Sequence, residues 1–352
     1  MPCSPVRRSR PALSLVLLSL LAGLSTSCGR SLIMPVAPTR DAQSRAGNRE
    51  PGTTRSGDPM DGQVVVTLAE GVNARTVATD VGAYLLEFDY DERTASFQPG
   101  SGQTSVTLQA LLAADARVVT AEPNGWLETA ETRQQSFAFD DGLGSAQAVS
   151  EQPASAAIRL DEAHEVALGS GVVMAILDTG IDAHHPMLRN AYAGGWDFVD
   201  GDADPTDARD FVDNDGDGLV DEGFGHGTHV AGIMHLVAPE ARLLVVRVLD
   251  SDGRGDILDI AAGVRWAVDH GAKILNLSLG SLKGSDALQN ALADAENRGV
   301  VVISSAGNWG AESPVEFPAR SSHVAAIAAV DAAAYPATFS SFGSIVALSA
   351  PG

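Results

Sequence analysis

Two short segments carry the side chains that acid–base chemistry needs. Val172-Val-Met-Ala-Ile-Leu-Asp178-Thr-Gly180 puts a carboxylate where an apolar strand runs out into a Gly-containing turn, the place at which a doubly wound sheet exposes reactive groups. The tripeptide Asp178-Thr179-Gly180 also fits an aspartic-protease site, in which two such aspartates share a proton. No second D-T-G or D-S-G occurs, so that chemistry requires a dimer. His226-Gly-Thr-His229-Val-Ala-Gly232 delivers an imidazole at the start of a helix. An imidazole beside a carboxylate activates a hydroxyl nucleophile: the ring takes the proton while the carboxylate fixes the tautomer and stabilises the imidazolium. His226 is the natural base. Zinc is the competing use, since His226, His229 and His235 offer three nitrogens, but the helix has no acidic residue like that of an H-E-x-x-H site.

A third segment runs from Val300 through small residues to Ala306-Gly307-Asn308. A side-chain amide there can donate to a developing oxyanion, although a Gly-Asn pair also forms ordinary turns. The fourth is Asp213-Asn-Asp215-Gly-Asp217-Gly-Leu-Val-Asp221-Glu222. Carboxylates at alternate positions with glycines between them can wrap oxygens around calcium. Asp213, Asp215, Asp217 and Asp221 are the expected ligands of a structural ion. Phe224 stands where an EF-hand closes with glutamate, so Glu222 substitutes or the loop is simply acidic.

These segments need a scaffold. Continuous apolar runs at Val172–Leu177, Leu243–Val248, Ile274–Leu279, Val300–Ser304 and Val324–Ala328 alternate with helical stretches near Asp256–His270 and Ser285–Asn297. Strands without polar alternation suit a parallel sheet covered on both faces. The fold expected for 158–352 is therefore α/β, a doubly wound, mostly parallel sheet with helices on both faces. Upstream, Val64–Leu68, Tyr84–Phe88 and Val118–Asn124 read as strands, with helices near Ala74–Val81 and Leu108–Ala114, a small α+β unit over 61–131. Residues 29–60 and 132–157 are rich in Gly, Ser, Pro and Ala or polar residues and read as linkers.

The N-terminus has Arg7, Arg8 and Arg10 ahead of the apolar run Ala12–Leu24, the charge order of a secretory signal over 1–28. Small residues then precede Cys28, as in lipoprotein signals, which leaves membrane attachment through a lipid at Cys28 open; Ser25 departs from that pattern. The only other cysteine, Cys3, lies inside the signal, which excludes a disulfide framework for the folded part. Asp and Glu number 45 against 23 Lys and Arg, a formal charge of −22, which repels nucleic acid. An extracytoplasmic protein is expected.

Taken in the order Asp178, His226, Asn308, the three reactive segments resemble the subtilisin-like serine proteases. The likeness extends to Asp182-Ala-His-His185-Pro186-Met-Leu188, to Asn276-Leu-Ser278-Leu279-Gly280, and to Ala337-Thr-Phe-Ser-Ser-Phe-Gly343 with Ala350-Pro351-Gly352. It implies Asp178 as orienting acid, His226 as general base and Asn308 as oxyanion donor, with Ser278, Leu279 and Gly280 as backbone that pairs with an extended polypeptide substrate. His229 is then structural. Asp115–Asn124 looks like the last strand of the family's propeptide, which would make the small unit the chain's own inhibitor. The family's nucleophile lies in a G-T-S-x-A-x-P segment downstream of the Ala-Pro-Gly turn, and no such segment occurs among these 352 residues. Ser304, Ser305, Ser340 and Ser341 match non-nucleophilic parts of the pattern. The expectations are a serine endopeptidase read short of its nucleophile and inactive as it stands, a non-catalytic peptide-binding relative, or a calcium-binding envelope module.

Overall fold

The computed structural model describes residues 59–89, 93–129, 152–310 and 315–352, all within a unit spanning 47–352. The signal, the Cys28 anchor, most of the first linker and most of the second lie outside the described residues; the last two residues read as the first linker begin β1. No helix among those described is long and apolar enough to cross a membrane.

Seven strands form one parallel sheet: β5 (Val173–Asp178), β6 (Tyr192–Asp197), β7 (Arg242–Arg247), β9 (Ile274–Leu277), β10 (Val301–Ser305), β11 (Ala325–Val330) and β12 (Val346–Pro351), in the order β12-β11-β10-β9-β5-β7-β6. Side chains alternate across a strand, and both faces of the central strands are apolar. Met174 and Ile176 of β5, with Leu243 and Val245 of β7, pack towards Ala231 of helix α5 (His226–Val237). Ala175, Leu177, Leu244 and Val246 face the opposite way. They pack with helices α6 (Ile257–Asp269) and α7 (Asp286–Asn297). The protein therefore has an α/β architecture with helices on both faces, as the unbroken apolar runs require.

The second sheet is antiparallel, with order β2-β3-β1-β4-β8: β1 (Pro59–Leu68), β2 (Tyr84–Asp89), β3 (Thr94–Gln98), β4 (Val118–Glu128) and β8 (Arg254–Asp256). Helices α1 (Ala74–Val81) and α2 (Ser105–Ala113) cover it, and Val64, Val66, Phe97, Leu108 and Leu112 are fully buried between them. Two short helices, α3 (Pro153–Ala157) and α4 (Leu160–His164), precede β5. The first falls within the stretch read as linker.

The strands missed in the sequence are short or poor in branched residues. β6 reads Tyr-Ala-Gly-Gly-Trp-Asp, and Gly195 is needed because a Cβ there would run into the Val245 carbonyl.

Candidate active site

Asp178 ends β5 and is fully buried. Its carbonyl accepts from Val248 N and Leu249 N, so the strand end is fixed by the chain leaving β7. Its Oδ1 accepts the Thr179 amide at 2.8 Å and lies 2.7 Å from His226 Nδ1. With Nδ1 facing the carboxylate, Nε2 is the ring nitrogen for proton transfer, the arrangement a general base needs.

Helix α5 brings the imidazole there because three glycines allow a close approach. Gly225 occupies the N-cap with φ 90°, and Gly180 turns the chain after the acid with φ 100°. Gly227 has no room for a side chain. Its missing Cβ would collide with the Gly180 carbonyl and stand 3.1 Å from Asp178 Oδ1. Gly227→Ala is expected to lower stability by about 1–3 kcal/mol and to lengthen the His226–Asp178 contact. A urea melt combined with the His226 ring NMR shifts checks both. Thr228 Oγ1 accepts from Asp182 N at 2.8 Å, which ties the helix start to the segment after the acid.

Behind the pair lies a carboxyl that the sequence reading missed. Asp207 Oδ2 accepts from Gly225 N at 2.8 Å and from Thr179 Oγ1 at 3.2 Å. Burial, and then the neighbouring Asp178 charge, push its pKa up to about 7 against two hydrogen bonds that lower it. Only spatial proximity reveals it, because nothing around Pro205-Thr-Asp207 resembles a reactive motif.

Asn308 follows Gly307, whose φ of 104° turns the chain at the end of β10. Ser341, fully buried, holds this turn: its amide donates to Gly307 O at 2.7 Å and its Oγ accepts from Trp309 N at 3.2 Å. Ser340 Oγ accepts from Ala329 N and donates to Ser341 O, and Ser304 Oγ donates to Ser305 O. These serines are occupied with backbone.

Gly280 exchanges two backbone hydrogen bonds with Glu128, N to O at 2.9 Å and O from N at 3.3 Å. On its other side the same segment pairs with β8, Trp126 opposite Asp256 and Glu128 opposite Arg254, and Thr129 N donates to Gly253 O at 3.0 Å. The end of β4 is therefore an extended peptide clasped between β8 on one side and the Gly280 bridge on the other. Leu279 is fully buried in the core and Asn276 Nδ2 donates to Ser278 Oγ at 2.9 Å, so both residues brace the Gly280 backbone. Upstream, the Glu122 carboxylate accepts from Ser285 Oγ, Asp286 N and Ala287 N, capping α7. Burial raises its pKa despite those donors.

The acidic loop brings together Asp213, Asp215 and Asp252, and also Asp215, Asp217 and Glu222; within each group carboxylate oxygens lie within 4.8 Å of one another. Asp221 stands apart from both groups: its Oδ1 accepts from Asp210 N and Phe211 N, and its φ is 57°. Asp252 was missed because it comes from the turn after β7, fully buried, where it accepts from Asn214 N and Asp221 N. Burial is the main cause that pushes Glu222 up to about 7 and Asp252 to about 6. Glu222 Oε2 is buried with no hydrogen-bond partner. Crowded, desolvated carboxylates with an orphaned oxygen suit a hard cation with oxygen ligands. Among the described residues no such group contains His226, His229 or His235, so the histidines do not converge as zinc ligands would.

The profile described as "Subtilase family" matches residues 169–352, more than half of the chain. The chain belongs to the subtilase family. Subtilase relatives include thermitase of Thermoactinomyces vulgaris, 40% identical over 205 residues that cover 55% of this chain and 68% of thermitase. A thermophilic serine proteinase of a Bacillus species is 34% identical over 308 residues, 83% of this chain and 70% of that protein. Among solved structures, fervidolysin from Fervidobacterium pennivorans, a keratinolytic enzyme related to subtilisin, shares the fold with TM-score 0.65 at 24% identity, over 86% of this chain and 48% of fervidolysin. The chain thus spans between 48% and 70% of the length of these relatives. Subtilases are serine endopeptidases.

Proposed function

We propose that this subtilase hydrolyses internal bonds of extended polypeptides outside the cytoplasm, with His226 as general base, Asp178 as its orienting acid and Asn308 as oxyanion donor. The observation that carries the reading is the 2.7 Å contact of His226 Nδ1 with a fully buried Asp178. The stretch Ser278–Gly280 is the substrate-pairing edge. The Gly280–Glu128 hydrogen bonds support that role, since main-chain pairing is how an extended peptide is recognised. In this reading residues 61–131 form the chain's own propeptide, whose β4 end lies along the substrate path, and 158–352 form the peptidase domain. The charged and apolar N-terminal run supports export, with Cys28 available for a lipid anchor. Calcium at Asp213, Asp215, Asp217, Asp252 and Glu222 would hold the acidic loop against the turn that leads into β8, a structural task; Asp221 would shape the loop rather than bind the ion.

None of the 352 residues lies in a G-T-S-x-A-x-P segment, and a subtilase without its serine forms no acyl-enzyme. In residues 1–352 the Gly280 edge is already held by the chain's own Glu128, so this stretch alone is expected neither to capture nor to cut an added polypeptide. A form that also carries such a segment is expected to cut it. Mass-spectrometric mapping of unfolded casein incubated with each form tests this. Internal cleavages from the serine-bearing form, absent in Asp178→Asn, support the endopeptidase reading. Tight binding with no cleavage by either form would favour the non-catalytic, peptide-binding alternative, for which the clasped β4 end is the supporting observation.

A further inference from the structure

Asp207 is a buried carboxyl, 7% exposed, that neither proton transfer nor the oxyanion requires. Its single oxygen Oδ2 takes two donors, Thr179 Oγ1 and Gly225 N, while Oδ1 has no hydrogen-bond partner. Thr179 directly follows the acid and gives its own amide to Asp178 Oδ1. Its hydroxyl also accepts from Gly227 N at 3.1 Å. Gly225 and Gly227 flank His226, so one carboxyl oxygen joins the neighbour of the acid to the neighbours of the base.

Helix stability alone explains this poorly. The N-cap of α5 is a glycine with no side-chain cap of its own, and a carboxylate there would supply the missing acceptor. An N-cap aspartate would do so in water. Asp207 instead does it inside the protein and beside a second carboxyl. Its link to Thr179 fixes the hydroxyl that follows the acid and accepts from Gly227 N, which reaches past the helix end to the Asp178 segment. A buried carboxyl retained against desolvation and like charge is more often found where a site needs it.

We infer that Asp207 is a positioning residue of the acid–base centre, setting the Asp178–His226 hydrogen bond through Thr179 and Gly225. The inference rests on His226 being the general base. Its effect reaches the reacting atoms only through its neighbours.

The test follows the His226 Nδ1 proton in the full chain labelled with 15N-histidine, with His226→Ala assigning the signal. A hydrogen bond to a buried carboxylate is expected to give a low-field resonance that exchanges slowly with water. Asp207→Ala should raise its exchange rate about tenfold or more, the loss of one charged hydrogen-bond pair. Asp207→Asn, whose amide oxygen accepts from the same two donors, should stay within about twofold of the parent. Thr179→Val cuts the link while leaving the carboxyl and its Gly225 bond. It should speed exchange as Asp207→Ala does, and it decides the matter if the alanine variant fails to fold. Unchanged exchange in Thr179→Val, or equal acceleration in Asp207→Asn and Asp207→Ala, would overturn the positioning role. A parent chain without the low-field proton would instead overturn the assignment of His226 as base.

Discussion

In the serine-bearing protease, His226→Ala is expected to lower kcat about a millionfold with little change in KM, the loss seen for the same role in subtilisin, a member of this family. Asp178→Asn should cost less, about ten-thousandfold. The structure explains the gap. Asp178 Oδ1 serves both Thr179 N and His226 Nδ1, and Oδ2 has no partner. An asparagine that keeps its oxygen on the two donors leaves an NH2 group buried in the Oδ2 position without an acceptor. Turning the amide over satisfies neither donor and presents N–H to the ring, which selects the wrong tautomer. Either way the imidazolium loses its counter-charge while the packing survives. Removing the imidazole leaves nothing to take the proton. Steady-state kinetics on a peptide substrate check the order; equal losses for both variants would mean the carboxylate does more than orient and stabilise the ring. Asn308→Leu should fall between about a hundredfold and a thousandfold in kcat, as expected for one oxyanion donor.

The Asp178–His226 pair was legible in the sequence because each residue stands at a grammatical boundary: Asp178 where an apolar strand meets Thr-Gly, His226 where glycines open a helix. The parallel sheet was legible for a related reason, since β5 and β7 are buried on both faces and carry no polar alternation. β6 and β12 were not, because glycine, alanine and proline fill them and their partners supply the packing. The acidic loop was half legible. Asp213, Asp215 and Asp217 form a local pattern, whereas Asp252 lies far along the chain and enters only when β7 returns beside the loop. Asp221 fitted the spacing, yet the backbone turns at a positive φ there and its carboxylate is used to hold Asp210 and Phe211. Asp207 carries no local pattern at all, since what defines it is the company of Thr179 and Gly225.

Stability should depend on pH and on calcium together. In the chelated chain Glu222 titrates near 7 and Asp252 near 6, raised by burial from ordinary values of 4.5 and 3.8. Between the unfolded and folded values the folded state holds more protons, so stability falls as pH rises from about 4 to about 7. The melting temperature in EDTA should therefore be higher at pH 5 than at pH 8. Calcium reverses the slope, because it binds the deprotonated carboxylates. At about a hundred times its dissociation constant it adds about 2.7 kcal/mol. For a domain of this size that is about 5–10 °C at pH 8, with little gain at pH 5, where protons compete. Asp252→Asn and Glu222→Gln should each remove most of that gain; Glu222→Gln should also raise the EDTA melting point at pH 8 by deleting a desolvated charge, whereas Asp252→Asn should not, because its NH2 would face one of the two backbone amides that Asp252 accepts. Asp221→Asn should keep the calcium gain and lower stability at every pH. Differential scanning calorimetry of the four proteins decides between a bound ion and an acidic loop. A chain whose melting point at pH 8 ignores calcium has only the loop.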